Sequence, residues 1–200
     1  MINQPNASSI INSTAKQTYS GQFIDFSCPE KYNYSIEEIA IVLSRQPRFT
    51  AHTKRFLSVA RHSLEVMSYA PDDLKLYALL HDAHEAYIGD ISSPLINFLG
   101  ADKINELKKS IQRAIYISLD VMLPTEEQER FIKNLDSDCL YVEKRDNLMH
   151  NINWNFTRSI DHYRNILSDN LNTEDYHDFK ADAEEFIKQY NICKKLKEMK

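Results

Sequence analysis

Within Leu79-Leu80-His81-Asp82-Ala83-His84-Glu85-Ala86-Tyr87 an imidazole and a carboxylate stand side by side in an otherwise apolar helical pattern. Burying an unpaired carboxylate costs several kcal/mol or forces its neutralisation, and a divalent cation is the partner that best offsets a His-Asp doublet. The chemistry this points to is metal-dependent hydrolysis. On a helix His81 and Glu85 are four apart and Asp82 and Glu85 three apart, so they form one polar cluster on neighbouring faces. His84 lies off the Asp82 side of that helix and is not needed as a ligand.

Further ligands must come from other elements. His62 sits between Val59 and Val66 at helical spacing, and a helix pair joined at Pro71 brings it against His81 and Asp82. Further along, Asp136 shares a helical face with Ile132, Cys139, Leu140 and Glu143, whereas Asp138 shares its face with Asn134, Tyr141 and Arg145. The carboxylate on the apolar side is the one that needs a cation, which selects Asp136. Two imidazoles and two carboxylates suit Mn²⁺, Co²⁺, Fe²⁺, Zn²⁺ or Ni²⁺ more than Mg²⁺ alone, with Mg²⁺ as an additional ion.

The elements that position these residues read as helices. Ser35-Ile36-Glu37-Glu38 has the form of a capping box, with Ile36, Ile39, Ala40 and Leu43 following at helical spacing until Pro47. A second helix spans about 57–70, with Leu57, Ala60, Leu64 and Met67 on its core stripe. Asp72 is placed to cap a third carrying Leu76, Leu79, Leu80, Ala83 and Tyr87, closed by Gly89 as a left-handed residue. A fourth runs over about 101–122. Thr125-Glu126-Glu127-Gln128 opens a fifth that reaches about Met149. Residues 151–172 are Asn-rich and ambiguous, and Phe179, Ala183, Phe186 and Tyr190 mark a last amphipathic helix after Thr173. Before the first helix, Thr18 to Phe26 reads as a small β-hairpin around Gly21. The fold class expected is an all-α bundle with that hairpin at its N-terminal side. The domain organisation expected is a mobile arm over 1–16, one domain over 17–192 and a Lys-rich tail over 193–200.

Composition narrows the function classes. The chain has 200 residues, 42% hydrophobic, enough for one real core, and only three glycines, which disfavours Gly-rich phosphate loops and all-β architectures. A net charge of −5 offers no footprint for long nucleic acid but leaves room for a small phosphorylated ligand. Cys28, Cys139 and Cys193 lack metal-type spacing and read as reduced thiols. With neither a signal peptide nor a spanning segment in the sequence, a cytoplasmic protein with no membrane partner is expected. An amphipathic helical domain of this kind is also expected to self-associate.

His62, the His81-Asp82 doublet and the distant Asp136 resemble the HD-domain phosphohydrolases. More narrowly, Arg48-Phe49, Ser58-Val59-Ala60-Arg61-His62-Ser63 and the stretch from His81 to Asp90 resemble the nucleotidase branch, which holds 5′-deoxynucleotidases and phage-type dNTP triphosphohydrolases. Glu143-Lys144-Arg145-Asp146 after Asp136 adds to the likeness, which covers about 19–149. The resemblance implies that His62, His81, Asp82 and Asp136 hold the metal and that Glu85 and Asp90 are catalytic. It implies too that Arg48 contacts phosphate while Phe49 packs on the sugar or base. Two carboxylates in unlike surroundings can share the work of orienting water and protonating a leaving oxygen. His52 and Lys54, on a basic loop between the first two helices, are candidates for phosphate contact, as is Arg61. Together with Arg55 they exceed the charge one monophosphate requires, which tilts the expectation toward a dNTP triphosphohydrolase, dATP among its substrates. A 5′-deoxynucleotidase acting on dNMPs and a non-catalytic nucleotide sensor are the alternatives.

Overall fold

The computed structural model describes residues 13–149 and 178–198. The expected arm lies outside them except for its last residues, and the ambiguous stretch at 151–172 lies outside them entirely. Ala15 and Lys16, expected in the arm, belong instead to strand β1 (Ala15–Gln17), which pairs antiparallel with β2 (Phe23–Asp25) so that Lys16 faces Ile24. The turn between them uses Gly21 at φ 82. Ile24 is fully buried and ties this hairpin to the core.

Helix α1 (Ile36–Arg45) starts at Ser35, whose hydroxyl accepts from the Glu38 N–H. The reciprocal half of the expected capping box is replaced. The Glu38 carboxylate is buried and accepts from the Ser20 N–H at 2.7 Å, the Tyr32 hydroxyl at 2.6 Å and the Tyr87 hydroxyl at 3.1 Å. A carboxylate with three donors has no cause to turn back to its own helix end. The rings of Tyr32, Tyr34 and Tyr87 pack edge to face around it.

Helix α2 (Val59–Tyr69) is capped by Ser58, and it packs on α3 (Lys75–Leu80) across the turn at Pro71. Asp72 does not cap α3, which begins after Leu74, and it pairs with the Lys75 ammonium. The helix expected to run on to Gly89 is interrupted. After Leu80 the amide bonds tighten to three-residue spacing, Ala83 to Leu80, Glu85 to Asp82 and Tyr87 to His84, before α4 (Glu85–Ile88) completes it. Gly89 ends α4 at φ 91, ψ 158, a region open to glycine essentially alone and not the left-handed helical one.

A short helix that the sequence did not announce, α5 (Ser93–Leu99), leads into α6 (Ala101–Ser118). The latter stops short of Met122 in a Schellman closure: Val121 donates to Tyr116 and Asp120 to Ile117, with Asp120 at φ 52. The expected capping box at Thr125 and Gln128 is formed and opens α7 (Glu126–Asn147). Helix α8 (Phe179–Glu198) packs on α1, α2 and α3 and continues through the residues expected as a Lys-rich tail. There Cys193 is buried and Lys194 donates to the Leu119 carbonyl. The architecture is the all-α bundle with a small hairpin, its core drawn from every helix but α5. The three cysteines are free thiols. No helix among the described residues is long and apolar enough to cross a membrane.

Candidate active site

Three elements converge. α2 brings His62, the tightened turn after α3 brings His81 and Asp82, and α7 brings Asp136, each offering one ligand atom within 4.8 Å of the others. His62 Nε2 lies 3.0 Å from Asp136 Oδ1 and 3.7 Å from Asp82 Oδ2, and His81 Nε2 lies 3.2 Å from Asp82 Oδ2 and 3.8 Å from Asp136 Oδ1. Each ring is held from behind. His62 Nδ1 meets Glu143 Oε1 at 2.7 Å and His81 Nδ1 meets the Ala78 carbonyl at 2.7 Å, acceptors that keep the proton on Nδ1 and turn Nε2 inward. Both Nε2 atoms are buried and lack a partner in hydrogen-bond geometry among the described residues. Two nitrogen lone pairs facing two carboxylates fit a divalent ion. The cluster can hold a metal ion.

Electrostatics agree with that fit. Burial pulls the His81 imidazole down, but Asp82 and Asp136 outweigh it and hold it well above 6.5. For His62, burial and the Arg48 charge act downward, and Glu143 and Asp136 overcome both. Burial would raise the carboxyls of Asp82 and Asp136, yet the facing imidazoles keep both low. A cluster so biased gathers positive charge, protons when nothing else is present and a divalent ion otherwise.

Beside it sit Glu85 and Asp90. Glu85 is buried, and its pKa is raised well above 4.5 by burial and then by the charges of Asp82 and Asp90. Asp90, after the Gly89 turn, is also raised by burial, although Arg48 pulls the other way. Both carboxyls hold their protons more tightly than a free carboxyl does.

Glu143 is the residue whose role sequence reasoning missed. Its carboxylate accepts a hydrogen bond from His62 Nδ1–H and also binds Arg48, through Nε and Nη2, both at 2.9 Å. Arg48, buried, is thereby a support for the His62 ring as well as a candidate phosphate contact, with Nη1 turned toward Asp82 at 3.9 Å. The signal available was position: Glu143 lies two helical turns after Asp136 on the same stripe. Close by, Glu65 is pushed up to about 7 by burial and then by the Glu143 charge. The fold therefore keeps a proton that the unfolded chain releases near 4.5, and stability falls as pH rises from about 4.5 to 7. Glu65→Gln is expected to flatten that slope and to raise stability at pH 8 by on the order of 1–2 kcal/mol, read from thermal melts.

Gln112, on α6, also went unforeseen. Its amide donates to the Leu80 carbonyl at 2.7 Å and its oxygen accepts from the His84 N–H at 3.1 Å and meets His84 Nδ1 at 3.1 Å. It thus satisfies the backbone groups that the helix interruption frees. Gln112→Leu strands them, and a stability loss of about 1–3 kcal/mol is expected in denaturant unfolding.

The other expected contacts are dispersed. Phe49 is half-buried at φ 55, in a turn where Phe49, Thr50 and Ala51 all have positive φ, and Arg48 lies 5.6 Å from its ring centroid. His52, Lys54 and Arg55 are exposed, and the Lys54 ammonium reaches the Asp146 carbonyl at 3.3 Å. Arg61 is exposed within electrostatic reach of Glu65 and Glu185. Asp138 is half-buried and outside the cluster, while Arg145 and Asp146 form a bidentate pair. Positive charge gathers elsewhere. A cleft of about 610 Å³ opens onto His81, Asp82 and Asp136 between Lys108 and Arg113 of α6 and Lys133 of α7.

No protein-family model matches the chain. It is 33% identical over 102 residues to the 5′-deoxynucleotidase PM0747 of Pasteurella multocida, 51% of this chain and 50% of that one. The chain is a distant relative of a 5′-deoxynucleotidase. It is also 37% identical over 83 residues to the uncharacterized protein YfdR of Escherichia coli, 42% of this chain and 47% of that one. The chain spans about half the length of these curated relatives.

Proposed function

We propose that the protein is a divalent-cation-dependent 5′-nucleotidase that hydrolyses deoxynucleoside monophosphates. The observation that carries this reading is the quartet of His62, His81, Asp82 and Asp136, His62 buried and the others half-buried, with both Nε2 atoms turned inward, and the similarity to a 5′-deoxynucleotidase supports it. A bound ion supplies charge neutralisation at the phosphate and lowers the pKa of water toward neutrality. Glu85 orients the water and accepts its proton as the new oxygen–phosphorus bond forms. Asp90 gives a proton to the 5′ oxygen as its bond to phosphorus breaks, so nucleoside and orthophosphate leave. Arg48 Nη1 steadies a phosphate oxygen, and Phe49 offers a face to the sugar or base.

The cations that tilted the sequence reading toward triphosphates, His52, Lys54, Arg55 and Arg61, are all exposed and do not gather on the cleft, which weakens that tilt. A second reading, dNTP triphosphohydrolase, draws support from Lys108, Arg113 and Lys133 around the cleft, which suit a longer phosphate tail. Product analysis on the four dNMPs and four dNTPs with Mn²⁺, Co²⁺ or Mg²⁺ separates them, with Glu85→Ala as control. Orthophosphate from dNMPs is the expected result. Tripolyphosphate from a dNTP would replace it with the second reading, and silence on every substrate would refute both in favour of a sensor.

A further inference from the structure

His84 takes no part in the site described so far. The tightened turn after Leu80 changes where it points: with α-helical spacing lost, Asp82, His84 and Glu85 each bring a ligand atom within 4.8 Å of the others. His84 is 8% exposed and Glu85 5%, and His84 Nε2 and Glu85 Oε2 are buried without a hydrogen-bond partner among the described residues. Gln112 engages His84 Nδ1, which leaves Nε2 as the nitrogen able to bind a ligand. Both orphaned atoms therefore belong to the same three-residue group, and each is an acceptor that wants a positive partner.

We infer that Asp82, His84 and Glu85 form a second divalent-cation site, with Asp82 bridging it to the ion held by His62, His81 and Asp136. A carboxylate has two oxygens, and Asp82 turns Oδ2 toward the imidazoles of His62 and His81. Two ions bridged in this way would sit about 3.5–4 Å apart and would supply charge for the oxygens entering and leaving phosphorus. The local charge allows both. Asp82, Glu85, Asp90, Asp136 and Glu143 are set against the Arg48 guanidinium, which Glu143 engages, and the Lys108 ammonium, whose field reaches His84, Glu85 and Asp90. With Asp90 holding the proton it donates, one divalent ion leaves this group neutral, a poor host for a phosphate dianion, and a second makes it positive.

The inference rests on the cation reading of the first site, and the test separates the two. Full-length protein is equilibrated with Mn²⁺, dialysed and analysed for metal content, and its electron paramagnetic resonance spectrum is recorded. Two ions per chain and an exchange-coupled Mn²⁺ pair are expected for the native protein. One ion and an uncoupled spectrum are expected for His84→Asn, with unchanged circular dichroism. A native protein that saturates at one ion, with His84→Asn identical to it, overturns the second site and leaves the first standing. A native protein that takes up none overturns both. If His84→Asn does not fold, the stoichiometry and coupling of the native protein decide alone.

Discussion

Glu143→Ala is expected to destabilise the protein by about 3–5 kcal/mol, because it strips the partner from a buried guanidinium and from the back of a buried imidazole at once. Glu143 is 2% exposed and Arg48 6%, so water cannot easily take the carboxylate's place. Denaturant unfolding reads the loss directly. The pH dependence gives a second signature. Burial alone would raise the Glu143 carboxyl above 4.5, but the charges of His62 and Arg48 outweigh it and leave it lowered. Its contribution is therefore complete above pH 4.5 and is lost as pH falls through the lowered value. The variant should lack that part of the acid limb of the stability curve. A surface substitution at the same distance from the site would leave it intact.

Asp82→Asn is expected to remove the stabilisation that metal confers together with the turnover. A ligand bound by the folded state alone adds about 2.7 kcal/mol at a free concentration 100 times its Kd. For a chain of this length that is a rise of about 5–10 °C in Tm with Mn²⁺, which Asp82→Asn should abolish. Loss of several kcal/mol of transition-state stabilisation lowers kcat/KM by about a thousandfold or more. Differential scanning calorimetry with and without Mn²⁺ checks the first effect, and phosphate release checks the second. An unchanged Mn²⁺ response in the variant would mean that Asp82 is not a ligand.

Much of this arrangement was legible because charge inside an apolar period is conspicuous. His81-Asp82 stood out within a run of Leu and Ala, His62 between two valines, and Asp136 on the stripe of Ile132 and Cys139. The structure brings those four together. What escaped depended on departures from regular geometry or on distant partners. His84 was set aside on helical periodicity, and the chain abandons that periodicity one turn earlier, at Leu80. Gln112 makes up for the break from another helix, and a lone glutamine in an amphipathic segment carries no signal of that. Arg48 and Glu143 are 95 residues apart, so their pairing shows only in the folded chain. Glu38 looked like half of a capping box because its spacing matched one, yet two tyrosines and the Ser20 amide claimed its oxygens. The end of α6 was misplaced because aspartate, not glycine, holds its left-handed closing position.

The most direct test of the account is an anomalous difference map from crystals of the protein soaked in Mn²⁺. A peak at coordination distance, about 2.0–2.3 Å, from Nε2 of His62, Nε2 of His81 and oxygens of Asp82 and Asp136 is the result predicted. Manganese bound elsewhere, with these four side chains left in contact only with one another, would contradict it.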